Sequence, residues 1–233
     1  MPELFNYTEA ELVAIGLSVK VAIWCTLIAI PLATATGWFL ARKSFRGKSI
    51  LEGFLHLPLI LPPVTTGYLL LLVFGTKSFL GSFLNEFFGI RIAFSFYAAV
   101  LASIVVSFPL VTRAVKLAIE FVDQKYEVAA STLGASNLKV FFTITLPLAM
   151  PGVISGFILC FARSLGEFGA TITFAGNIPG ETQTLPLVIY STMQMPGQEI
   201  LTFRLVVVSV IISLAAMIGA EVLNKRVVKR NRQ

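Results

Sequence analysis

Few charged side chains fall inside the long apolar runs of this 233-residue chain, so those that do are the first candidates for chemistry. Arg163 and Glu167 stand four residues apart near the end of one such run. That spacing puts both on one helix face, close enough to pair. Ionisable groups in an apolar span face a bundle interior or a water-filled path and usually find each other. Two readings stay open. Arg163 offers a transient cation to a passing dianion while Glu167 holds it in place, or the pair is structural and fixes the turn into Gly166 and Gly169.

Other reactive patterns dissolve on inspection. Arg46-Gly47-Lys48-Ser49 imitates the end of a phosphate-binding loop, but that motif needs a glycine five residues before Gly47, after a strand, and Arg42 stands there. The single histidine, His56, sits in an apolar setting that suits packing better than proton transfer. Cys25 and Cys160 each lie inside an apolar run without a ligand neighbour, which argues for reduced, packed thiols and against a metal site or disulfide framework. No catalytic residue, metal ligand or cofactor of its own is expected in this chain.

Hydrophobic residues make up 56% of the sequence and charged residues 13%, too apolar for a soluble domain. The net charge of +6 does not point to nucleic acid, because the basic residues come in short clusters between apolar runs of spanning length. The first run, from about 13 to 40, is too long for a signal-peptide core and follows Glu3, Glu9 and Glu11 instead of a basic region. Five spanning helices are predicted, at about 13–41, 53–74, 93–115, 148–166 and 203–223. The Gly-rich stretch 166–180 and the short apolar stretch 185–195 read as re-entrant or short tilted helices, leaving room for a sixth span. The fold class is therefore an all-α integral membrane protein of five to six spans, read as one domain over 1–233.

Of the 18 basic residues, 13 fall in three regions: Arg42, Lys43, Arg46 and Lys48; Arg113, Lys116, Lys125 and Lys139; and Lys225, Arg226, Lys229, Arg230 and Arg232. Short basic loops stay on the cytoplasmic side, so the N-terminus is expected outside and the C-terminus inside. Pro31, Pro58, Pro62, Pro63 and Pro109 fall within the spans, where each removes a backbone hydrogen bond. Freed carbonyls are tolerated where other helices or a watery path satisfy them, which favours a transporter over a passive anchor.

Between the third and fourth spans lies a cytoplasmic stretch from Lys116 to Pro147, long for a helix connection and patterned in its own right. Asp123 can cap a short helix running through Leu133, Gly134 can end it in a left-handed turn, and Pro147 can open the next span. Glu127, Ala129, Ala130 and Gly134, followed by Ile144, Leu146 and Pro147, resemble the E-A-A…G…I-x-L-P loop of binding-protein-dependent ABC permeases. In the commonest form of that motif the glutamate directly precedes the alanines; here Val128 intervenes. The remaining spacings are intact.

The resemblance covers nearly the whole chain. HLPLILPPVTTGYLLL (56–71), SFPLVTRAVKLAIE (107–120), FFTITLPLAMPG (141–152) and FARSLGEFGATITFAGNIPGETQTLP (161–186) are similar to the molybdate permeases in particular, with sulfate and thiosulfate permeases as the nearest alternative. It implies the type I importer permease fold and a homodimer with the pathway at its interface. It also implies two cytoplasmic ATPase subunits that bind the ATP, an extracytoplasmic molybdate-binding protein, and a place in the cytoplasmic (inner) membrane. The loop at 116–147 would then carry a coupling helix docked on the ATPase, where Ala129, Ala130 and Gly134 let another surface come close.

Overall fold

The computed structural model describes residues 8–230. Glu3 and Arg232, which bear on the expected orientation, lie outside that range. The first helix, α1 (Glu9–Arg42), starts at a reciprocal cap: the Thr8 hydroxyl accepts from the Glu11 N–H, and the Glu11 carboxylate accepts from the Thr8 N–H at 2.6 Å. Its 34 residues reach about 51 Å, more than the hydrocarbon thickness.

The second expected span is broken. α2 (Lys48–Ile60) and α3 (Pro63–Phe74) meet at a bend of 113°. Pro62 and Pro63 supply no N–H groups, and the residue before a proline is pushed into an extended conformation, which Leu61 adopts at ψ 144°. A straight helix over 53–74 is therefore corrected to two half-length helices. α4 (Phe79–Phe88), capped by Ser78 and closed by Gly89 at φ +66°, was not expected from the sequence.

The third span, α5 (Phe96–Glu120), is followed by α6 (Gln124–Thr132) and the single turn α7 (Asn137–Val140). Phe141–Thr145 then forms a π-helical stretch leading into α8 (Leu146–Leu165). Pro147 thus does not open the fourth span, which runs from Asn137 to Leu165. In an α-helix the Pro147 ring would press on the carbonyl four residues back. The wider π turn, in which the Leu146 N–H reaches the Phe141 carbonyl, lets the helix pass through the proline. Most of 116–147 is accordingly helix, not loop.

α9 (Gly169–Phe174) and α10 (Leu185–Met193) have 6 and 9 residues, too short to cross, and α11 (Glu199–Arg230) completes the chain. Among the described residues four helices are long and apolar enough to span, and there are five if the bent pair α2–α3 is one span. Among the described residues no sixth full span is present.

α1, α5 and α8 form the packed centre, with Ala22, Cys25, Ala29, Val111, Val115 and Cys160 all buried. Small residues set the spacing. A Cβ on Gly152 would overlap that of Ala118 on α5, and one on Gly156 would lie 3.3 Å from the Val111 side chain. At one end of this bundle Arg204 on α11 pairs with Glu11, both almost fully buried, with Arg204 Nε donating to Glu11 Oε1 at 3.1 Å. At the other end Lys116 donates to Glu52 at 2.6 Å, holding α2 against α5.

Candidate functional site: the α6 junction

α6 is where the recognised motif lies, and its geometry starts with its caps. The Asp123 carboxylate accepts from the Lys125 N–H at 2.9 Å, satisfying a donor that the first turn leaves free. Gly134, at φ +85°, takes the chain out of the helix through a left-handed residue that a Cβ would strain. Among the described residues, no atom beyond its two chain neighbours lies within 4 Å of where that Cβ would be.

α6 presents two unlike faces. Outward, Tyr126 and Ala129 are exposed, Leu133 beyond its end is 89% exposed, and Phe121 and Leu138 are exposed as well, whereas Val128, though exposed, borders the cleft beside Glu127. Inward, Glu127 Oε1 accepts three hydrogen bonds: from Arg42 Nε at 3.1 Å, from Arg42 Nη2 at 2.9 Å and from the Thr145 hydroxyl at 2.6 Å. Arg42 Nη2 also donates to the Val122 carbonyl at 3.0 Å. Thr145 is fully buried, and the Trp38 and Phe141 rings pack beside it with centroids 5.1 Å apart. A cleft of about 500 Å³ between α1, α6 and α7 is lined by Trp38, Arg42, Glu127, Phe141 and Thr145.

The two halves of the motif are thereby brought together. Glu127 comes from the first half, and Thr145 lies between Ile144 and Leu146 of the second. Ala130 is half-buried and Gly134 exposed, while Ile144, Leu146 and Pro147 are half-buried in the fourth span. Glu127 therefore does not share the outward face of its neighbours. Sequence reasoning assigned Arg42 only to a basic cluster and passed over Thr145. The partners are 85 and 18 residues from Glu127. The sole sequence signal was that the glutamate sits one place early, about 100° round the helix from the usual position.

Arg163 and Glu167 lie towards the other end of the fourth span. Arg163 Nη1 donates to Glu167 Oε2 at 2.6 Å, and Glu167 Oε1 accepts from the Ala170 N–H at 2.9 Å. The carboxylate is 2% exposed and the guanidinium side chain 31%. Glu167 thus joins the end of α8 to the start of α9, which packs closely on α3: a Cβ on Gly67 would overlap Thr173, and one on Gly169 would meet Pro63 at 2.7 Å. A separate cavity of about 420 Å³, lined by Leu165, Phe168, Tyr190, Met193 and Ile212 among others, has no charged residue in its lining.

Comparison with known proteins gives this geometry its context. Residues 33–229 match the family described as binding-protein-dependent transport system inner membrane component. The chain is 54% identical over 220 residues to the molybdenum transport system permease protein ModB of Haemophilus influenzae, covering 94% of this chain and 96% of that protein. It is 51% identical over 214 residues to ModB of Escherichia coli, covering 92% and 93% respectively. Among solved structures, a bacterial ABC transporter involved in the import of the acidic polysaccharide alginate superposes with a TM-score of 0.77 at 14% identity, covering 97% of this chain and 82% of that one, a likeness of fold alone. From a match spanning most of its length and relatives identical at more than half of the aligned positions, the chain belongs to the family of binding-protein-dependent transport system inner membrane components, the permease subunits of ABC importers.

Proposed function

We propose that this chain is the permease subunit of a molybdate importer, carrying molybdate and its close analogue tungstate across the cytoplasmic membrane. The observation that carries the reading is identity above one half with two molybdenum transport permeases over more than nine-tenths of each chain. The chain supplies the path and its partners supply the energy: two copies form a homodimer, two cytoplasmic ATPase subunits bind the ATP, and an extracytoplasmic binding protein delivers the ion. No cofactor or metal belongs to this chain. The exposed Tyr126 on α6 and Leu133 just beyond its end suit burial against the ATPase, since apolar groups of this kind mark interaction sites.

In this orientation the N-terminus is outside and the end carrying Arg42, Lys116 and α6 is cytoplasmic, in keeping with retention of basic segments there. The Arg163–Glu167 pair serves the turn between α8 and α9 and does not bind the ion. One carboxylate oxygen accepts from Arg163 and the other from the Ala170 N–H, which ties the pair to the start of α9. Molybdate and sulfate are tetrahedral dianions, so discrimination rests on a dedicated site in the binding protein.

The test is uptake by cells lacking this chain alone. High-affinity molybdate uptake is lost and sulfate uptake persists; the reverse outcome would replace this reading with a sulfate permease.

A further inference from the structure

We propose that Arg42 is the positioning residue of energy coupling: its clamp on Glu127 makes the coupling helix move as one body with the membrane helices. This rests on the reading of α6 as the surface that docks on the ATPase. Four elements converge on this one guanidinium. Arg42 is the last residue of α1; its Nη2 holds the Val122 carbonyl just beyond α5; its Nε and Nη2 both hold Glu127 of α6; and Glu127 Oε1 in turn holds Thr145 at the π turn of the fourth span. The side chains of Arg42 and Glu127 are only 10% and 16% exposed.

A helix of nine residues with no buried side chain has little packing to fix its angle on the bundle. A charge-assisted fork is directional and short, so it can transmit a rotation that loose apolar contact would absorb. The outward residues Tyr126 and Leu133 then determine whether the ATPase binds, and the inward pair determines whether its movement reaches α1, α5 and α8.

The experiment uses the complete importer, with ATPase and binding protein, reconstituted in liposomes. The readouts are complex assembly by gel filtration and molybdate imported per ATP hydrolysed. Arg42→Ala is expected to keep the assembled complex while imported ions per ATP fall about tenfold, the scale of one lost charge-assisted contact. Arg42→Ala combined with Glu127→Ala is expected to be no worse than Arg42→Ala alone. Exchange of the charges, Arg42→Glu with Glu127→Arg, is expected to recover part of the ratio that either reversal alone removes.

An assembled Arg42→Ala complex with an unchanged ratio overturns the proposal. Should Arg42→Ala not assemble, Arg42→Lys and Thr145→Val decide, since each loosens the clamp and leaves both charges; an unchanged ratio in both overturns it. Leu133→Asp reports separately on the docking reading: if the ATPase still binds that variant normally, α6 is not the docking surface, whatever Arg42 does.

Discussion

The hydroxyl of Thr145 donates to Glu127 across 18 residues of sequence, a 2.6 Å contact that the π turn before Leu146 makes available. A π turn inserts one residue into a helix and so rotates the residues before it by about 100° relative to those after it. The proline that gives the motif its I-x-L-P ending thereby also sets where Thr145 points. Motif residues that look like a docking surface in sequence divide in space into those that face outward and those that tie the coupling helix to the membrane bundle.

Gly134 separates strain from docking. Its φ of +85° penalises any Cβ, by about 1 kcal/mol for an L-residue in the left-handed region, yet among the described residues nothing beyond its chain neighbours occupies the space beside it. Gly134→Ala is expected to lower thermal stability slightly and to keep ATP-driven uptake. Gly134→Trp is expected to insert normally and to lose substrate-stimulated ATP hydrolysis, because its bulk meets only the ATPase. Equal coupling in the two variants would show that this end of α6 faces no partner.

The contact of α8 with α5 can be tested within the chain. Gly152→Val places side-chain atoms where the Ala118 Cβ already lies, and overpacking of this kind costs about 1–3 kcal/mol. Melting of the purified complex is expected several degrees lower, and Ala118→Gly is expected to recover part of the loss in the double variant. A Gly152→Val protein as stable as the parent would mean that the two helices are not in contact at this point.

Orientation is checked by cysteine labelling in intact cells, where a membrane-impermeant maleimide reaches only the outer face. Ser44→Cys, next to the first basic cluster, is expected to stay unlabelled until the membrane is opened, and Gln198→Cys, just before α11, to label at once. Both positions are exposed. The opposite pattern would invert the topology and place α6 outside, away from any ATPase.

The sequence revealed the elements better than the contacts between them. The Asp123 cap and the left-handed Gly134 are local signals found where their residues predict them, and of the apolar runs of spanning length the first, third and last form the long helices expected. The four-residue spacing of Gly152 and Gly156 marks a small-residue helix face but not that it meets α5. The features that stayed hidden were long-range or depended on backbone choices between alternatives. Glu11 with Arg204 is a buried pair 193 residues apart, and the basic residue reads locally as a loop charge. Pro62 and Pro63 announce a break but not a bend of 113°, and Pro147 reads as a helix start because a π turn has no sequence signature. α4 is 10 residues long, below the length at which apolar periodicity separates a helix from a loop.

The Arg163–Glu167 pair makes an asymmetric prediction. Glu167 is 2% exposed and Arg163 31%, so removing one charge is not equivalent to removing the other. Arg163→Ala leaves a buried carboxylate with one N–H, from Ala170, as its remaining partner, a situation that costs about 3–5 kcal/mol when a buried pair is broken. Glu167→Gln keeps an oxygen to accept from Ala170 and leaves a cation that solvent or lipid phosphate can reach, so its cost is smaller. Glu167→Ala loses both contacts and frees the start of α9. The expected order of thermal stability is therefore parent, then Glu167→Gln, then Arg163→Ala and Glu167→Ala together at the bottom. In all three the preference for molybdate over sulfate in reconstituted uptake is expected to stay as in the parent, because the pair holds a turn and discrimination rests on the binding protein. An Arg163→Ala complex that melts with the parent but no longer carries molybdate would put this arginine in the ion's path instead.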